Sequence, residues 1–150
     1  MDEAAHLLAE RGITVRQAIE RGAAVRCDPV LMERMLRNLI DNAAVHNEPG
    51  GWIEIESSAH GSEIITRITN RGPMLDETTL KRLGEPFYRG RAGKGDVPGT
   101  GLGLAIARSI ADAHGGRLDI GGRPGGGVIV AVVLPAIEHD RSMATKQSPR

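Results

Sequence analysis

The stretch "PGTGLGLAIARSIADAHGG", residues 98–116, decides how this chain is read. Glycine recurs at Gly99, Gly101 and Gly103, and a helical apolar pattern from about Leu102 to His114 follows at once. Glycine at alternate positions removes side chains where something comes close to the backbone. Two readings stay open: a tight turn packed under another element, or backbone donors that meet an anion at a helix N-terminus, where the dipole favours negative charge. The spacing is not the dinucleotide fingerprint G-x-G-x-x-G, which directly follows a strand, and "GKGD" (93–96) lacks the hydroxyl residue of a P-loop.

Working outward, the chain has 150 residues, which suits one domain. Lys plus Arg and Asp plus Glu both number 19, so no net field draws the chain to nucleic acid or to an anionic membrane. Trp52, Phe87 and Tyr88 are the only aromatics, so the core is aliphatic. A single cysteine, Cys27, excludes an internal disulfide framework, and no metal-ligand cluster is visible. No apolar run nears the ~20 residues that span a bilayer, and no signal peptide is seen. A soluble, cytoplasmic domain is expected.

A helix is expected over residues 2–11, ended by Gly12, and a half-buried strand over 13–19, where apolar and polar residues alternate. "RGAAVRC" (21–27) reads as a turn and a short strand. Asp28 and Pro29 then suit the N-cap and first position of a strong helix that stops before Pro49. Residues 52–70 form two strands joined near Gly61, and 76–83 a short helix. Residues 88–99 form a basic, Gly-rich loop. A second hairpin turns across Gly121 to Gly127. Residues 1–135 form the domain, and 136–150 a polar, disordered tail. The fold class is α+β, a two-layer α/β sandwich with a mixed sheet covered by helices on one face.

The long helix carries an anomaly. At 100° per residue, Leu31, Met32, Met35, Leu36, Leu39 and Ile40 form an apolar arc, opposite Glu33, Arg34, Arg37 and Asp41. Asn38 and Asn42 sit on the flank of the arc, with His46 continuing their line. Buried carboxamides require partners. They either tie the helix to backbone or meet a ligand or metal ion.

Together these segments resemble the catalytic ATP-binding domain of sensor histidine kinases, with the Bergerat-type fold. "LMERMLRNLIDNAAVHN" (31–47) resembles the N box, "NRGPM" (70–74) the first glycine box and "EPFYRG" (85–90) the F box. "GTGLGLAIA" (99–107) resembles the second glycine box, and "HGG" (114–116) completes the order. The resemblance spans about residues 2–135. It implies ATP and Mg²⁺ as cofactors. Asn42 would hold Mg²⁺ through its amide oxygen, helped by Asn38. Gly99, Thr100, Gly101, Leu102, Gly103 and Leu104 would cradle the triphosphate. His46, Asn70, Gly72 and Met74 would line the base site; the alternative for His46 is a satisfied interior histidine. Phe87 would anchor the base of a lid over 88–98, ordered by the γ-phosphate, whose Arg89, Arg91 and Lys94 are candidate phosphate contacts.

Position 38 bears on the reaction. Related hydrolases and anti-sigma-type serine kinases carry Glu there as general base. Asn38 cannot take a proton. A neutral imidazole is already nucleophilic near neutral pH, so Asn38 favours phosphoryl transfer to histidine.

Three residues depart from the family pattern: Asn70 replaces Asp, Met74 the second glycine, and Val45 a Lys or Arg. A rotatable carboxamide at position 70 predicts looser choice of ATP over GTP than Asp gives, and an Asp there should bind ATP at least as well. None of His6, His46, His60, His114 and His139 has the phosphoacceptor context; His139-Asp140 matches only as a dipeptide. The expectation is a catalytic fragment. Its partners would be the dimerisation and phosphoacceptor helices of its parent, a membrane-anchored sensor, and a cognate response regulator. No nucleic acid or direct membrane contact is expected. A degenerate nucleotide-binding or interaction module is the alternative, and a serine kinase acting on a sigma-factor system is disfavoured by Asn38.

Overall fold

The computed structural model describes residues 3–88 and 101–137. The elements run α1 (Glu3–Arg11), β1 (Thr14–Ile19), α2 (Pro29–Val45), β2 (Trp52–His60), β3 (Glu63–Asn70), α3 (Glu77–Arg82), α4 (Gly103–Ala113), β4 (Arg117–Gly122) and β5 (Val128–Pro135). The strands form one sheet in the order β1-β2-β3-β5-β4. β1 pairs with β2 in parallel and the other pairs are antiparallel, so the sheet is mixed.

Register places the apolar positions on one face. Ile53 stands beside Asn70, Ile55 beside Ile68, Ile68 beside Val130 and Leu118 beside Val132. Met35 and Leu39 of α2 and Leu104, Ala107 and Ile110 of α4 close over these residues as one aliphatic core. Glu56, Arg67 and Asp119, on the opposite face, are exposed. The two-layer arrangement therefore follows from period-2 strands facing 3.6-period helices. Truncating a core side chain such as the fully buried Leu39 to Ala would cost about 2–5 kcal/mol.

The caps act as their residue types imply. Asp28 Oδ1 accepts from the N–H groups of Val30 at 2.9 Å and Leu31 at 3.2 Å, and Pro29 occupies the first helical position. Asp76 Oδ1 accepts from Thr79 N–H at 2.7 Å and starts α3. The end of α2 is met by Arg11, whose guanidinium donates to the carbonyls of Val45 and Asn47 at 3.2 and 3.4 Å. A cation there complements the helix dipole.

Two expectations are corrected. β1 forms, but it is exposed throughout rather than half-buried. It lies at the sheet edge, while α2 and α4 cover the central and opposite strands, so alternation there has nothing to bury against. Residues 23–28 form no strand. Their backbone bonds are single tethers instead of a ladder: Ala24 O accepts from Ile137 N–H at 2.8 Å, and Asp28 N–H donates to His114 Nε2 at 3.1 Å. The tail reading concerns 136–150, of which 138–150 lie outside the described residues; Ala136 N–H donates to Ser62 O at 2.8 Å. No helix among the described residues is long and apolar enough to cross a membrane.

Candidate functional site

Packing α2 against α4 brings the two polar anomalies of the sequence together. A Cβ built on Gly103, the first residue of α4, would lie 3.8 Å from Asn38 O and 3.9 Å from Asn38 Oδ1. Asn38 Nδ2 is buried and makes no hydrogen bond among the described residues. The reading of Asn38 as a tie from helix to backbone is therefore not met at this atom. An unsatisfied buried donor costs about 1–3 kcal/mol, so it marks a place that suits an acceptor from outside. Leu102, the N-cap residue of α4, makes no side-chain cap bond, whereas Asp28 and Asp76 cap α2 and α3. Asn42 lies one turn beyond Asn38, half-buried at the same helix edge.

The glycines of the second glycine box have different causes. Gly101 has φ +74°, and a Cβ on it would lie 2.8 Å from the Phe87 carbonyl carbon. Its glycine is required by the protein's own packing. A Cβ on Gly103 would make only ordinary contacts, so nothing among the described residues demands glycine there. Leu104 is buried in the core, which leaves only its backbone to face a ligand. Leu102 is half-buried. Gly99, Thr100, Arg89, Arg91 and Lys94 lie outside the described residues, as does most of the lid reading over 88–98.

Phe87 anchors by its backbone. Its N–H donates to Gly101 O at 3.1 Å, its φ is +67°, and the residue is 73% exposed. A positive φ on a bulky residue is uncommon and marks a locally constrained backbone. Arg108 of α4 braces the same segment, with its guanidinium packed on Gly84 and Nη1 donating to Gly84 O at 3.5 Å.

At the other end of α2, His46 caps the helix; its N–H donates to Asn42 O at 3.0 Å. Burial lowers the pKa of its imidazole from 6.5, so the ring is neutral at neutral pH. Asn70 is 1% exposed. Its Nδ2 donates to His46 O at 3.3 Å and to Arg71 O at 3.1 Å. Both amide hydrogens are thus engaged, which corrects the expectation of a freely rotating carboxamide. A flip would turn Oδ1 onto two carbonyl oxygens. Gly72 is buried beside it, and a Cβ there would lie 2.4 Å from His46 O. Met74 points out of this packing, 78% exposed.

Sequence reasoning missed what backs the loop after β3. A Cβ on Gly126 would lie 2.4 Å from Gly72 O, and one on Gly127 1.9 Å from Asn70 O. The run Gly125–Gly127 was legible as a turn; its contact partner, more than fifty residues away, was not. Asn47 was also missed: it donates to Trp52 O at 3.0 Å and accepts from Glu48 N–H at 3.0 Å, fixing the exit from α2.

With this geometry in hand, comparison with known proteins is consistent. The family model described as histidine kinase-, DNA gyrase B- and HSP90-like ATPase matches residues 27–138. Sensor protein CutS of Streptomyces coelicolor is 40% identical over 127 residues, which cover 83% of this chain and 30% of CutS. The signal transduction histidine-protein kinase AfsQ2 of the same organism is 34% identical over 116 residues, 77% of this chain and 21% of AfsQ2. The chain thus spans less than a third of the length of these relatives. The solved mycobacterial sensor histidine kinase MprB superposes with a TM-score of 0.78 at 26% identity, over 90% of this chain and 91% of that one. The Asn38–Gly103 apposition lies within the residues that this family model matches. Matched over most of its length in sequence and in fold, the chain belongs to the histidine kinase-, DNA gyrase B- and HSP90-like ATPase family.

Proposed function

We propose that this chain is the catalytic ATP-binding domain of a sensor histidine kinase, binding Mg-ATP and passing the γ-phosphoryl group to a histidine on a separate dimerisation segment of its parent. The phosphoryl group would go on to a response regulator. One observation carries the reading: Asn38 Nδ2, a buried donor with no partner among the described residues, stands beside Gly103 at an N-terminus of α4 that has no side-chain cap among them.

The residues suit the group. The orphan at Asn38 is an N–H and asks for an acceptor oxygen, which a phosphate provides in excess. Asn42 offers an amide oxygen, a hard donor of the kind Mg²⁺ takes when it keeps several waters. Bound Mg-ATP supplies the transferable phosphoryl group and a cation that shields its charge. The first turn of α4 presents backbone N–H groups and the positive end of the helix dipole. Gly103 leaves that approach free of a side chain. Neutral His46 and Asn70 border the base site. Asn38 holds no proton-accepting group, so the chain orients rather than deprotonates; a neutral histidine acceptor needs no general base. Catalysis by this chain is then positioning and charge complementarity.

Calorimetric titration with ATP, with and without Mg²⁺, tests the proposal on the wild type and on Asn42→Ala. Binding that depends on Mg²⁺ and falls at least about tenfold, or about 1.4 kcal/mol, in the variant is expected. Equal affinity of the two proteins would remove Asn42 as the metal ligand. No binding by either would favour the degenerate interaction module.

A further inference from the structure

We propose that Asn70 is a positioning residue: its carboxamide clamps the end of α2 to the loop after β3, and holds the base-binding side of the site in shape. The second clause rests on the function proposed above; the clamp itself does not.

Asn70 ends β3 and is 1% exposed. It gives one amide hydrogen to His46 O, at 3.3 Å, and the other to Arg71 O, at 3.1 Å. His46 is the C-cap of α2, and the final carbonyls of a helix have no partner within it. Asn70 therefore satisfies a helix-end carbonyl from across the core. The chain around it is pressed close. Gly72 runs against His46 O on one side, and Gly126 and Gly127 run against Gly72 O and Asn70 O on the other. Each of these approaches leaves no room for a Cβ. A clamp bordered by three glycines is a fitted junction of α2, the 70–74 loop and the β4–β5 turn. His46 N–H reaches back to Asn42 O, so the clamp fixes the last turn of the helix that carries Asn42.

Only a carboxamide does this. A carboxylate at position 70 has no proton to donate and would face two carbonyl oxygens while buried. Its protonated form has one hydrogen and restores one of the two bonds. The family pattern, which places Asp here, leads to the opposite expectation, that Asn70→Asp improves the site. The signs therefore differ. Among the described residues, the charged and titratable groups around the clamp are His46 on α2, Arg11, which donates to the carbonyls of Val45 and Asn47 on either side of it, Arg71 with its ion-pair partner Glu48, and Arg123, which donates to Gly126 O at 2.9 Å. All are shared by wild type and variant, so the difference between the two proteins reads position 70.

The test is thermal unfolding of both proteins without nucleotide, at about pH 8 and about pH 5, followed by titration with ATP and with GTP at the higher pH. Asn70→Asp is expected to lower Tm by roughly 5 °C at about pH 8. The deficit should narrow at about pH 5, because the folded state takes up the proton at a higher pH than the unfolded state does. ATP and GTP affinities should fall together, by about tenfold each, with their ratio unchanged. If the variant is unfolded at the higher pH, recovery of its far-ultraviolet circular dichroism at the lower pH supports the clamp, and failure to recover overturns it. A Tm equal to or above wild type at the higher pH, or a deficit that does not narrow, overturns the clamp. ATP binding as tight as wild type overturns the positioning of the site. If neither protein binds nucleotide, the proposed function fails while the unfolding data still decide the clamp.

Discussion

Gly101 and Gly103 carry the same residue for different reasons, and alanine at each should separate them. Gly101 sits at φ +74°, where a Cβ costs about 1–2 kcal/mol and would also press on the Phe87 backbone 2.8 Å away. Gly101→Ala should therefore lower Tm by about 2–8 °C. Gly103 opens a helix and its Cβ would meet only Asn38 atoms at 3.8–3.9 Å. Where the backbone already suits alanine, the substitution stabilises by about 0.4–1 kcal/mol, because the unfolded chain loses freedom. Gly103→Ala should raise Tm by about 1–4 °C. Yet if the triphosphate lies against this residue, the new methyl stands between it and the first turn of α4. ATP affinity should fall at least about tenfold, a loss of about 1.4 kcal/mol. The assay is scanning calorimetry without nucleotide beside a titration with Mg-ATP. A variant more stable than wild type and weaker in binding is a signature that damage to the fold cannot mimic. Binding within about twofold of wild type would refute the placement of phosphate at Gly103.

Two further outcomes follow from local contacts. The pKa of His46 is lowered from 6.5 by burial, so the folded state resists the proton that the unfolded state takes up. Stability is therefore full above pH 6.5 and lost as pH falls below it; His46→Gln should flatten this part of the Tm profile, and an unchanged profile would reject the assignment. His114 accepts from Asp28 N–H at 3.1 Å and hydrogen-bonds Ile110 O at 2.7 Å, tying the end of α4 to the start of α2. His114→Ala should cost about 0.5–1.5 kcal/mol and speed hydrogen exchange in the first turn of α2; unchanged exchange there would show that the tie carries no strain from one helix to the other.

Local chemistry was legible in the sequence. The Asp28-Pro29 start, the short helix near 76–83 and both hairpins depend on neighbours in the chain, and each appears close to where its residue types place it. What the sequence did not show depends on which segments end up adjacent. The alternation in β1 promised a buried face, but burial is decided by the position of the helices, and β1 lies at the edge. The flank position of Asn38 and Asn42 on α2 was visible; that Asn38 Nδ2 meets Gly103 with no hydrogen-bond partner among the described residues was not. At Asn70, a single position in a motif does not reveal the two carbonyls that its amide meets. That Phe87 is tied through its backbone, with the residue largely exposed, was not legible from its residue type.

The central claim is phosphoryl transfer to histidine, and its most direct test is incubation with Mg-ATP labelled at the γ position, with and without the dimerisation segment of the parent kinase. The account predicts label on that segment, stable to base and labile to acid as a phosphohistidine is, and no label on this chain alone. Label on serine, stable to acid, or a segment that stays unlabelled beside a chain that binds Mg-ATP, would contradict it.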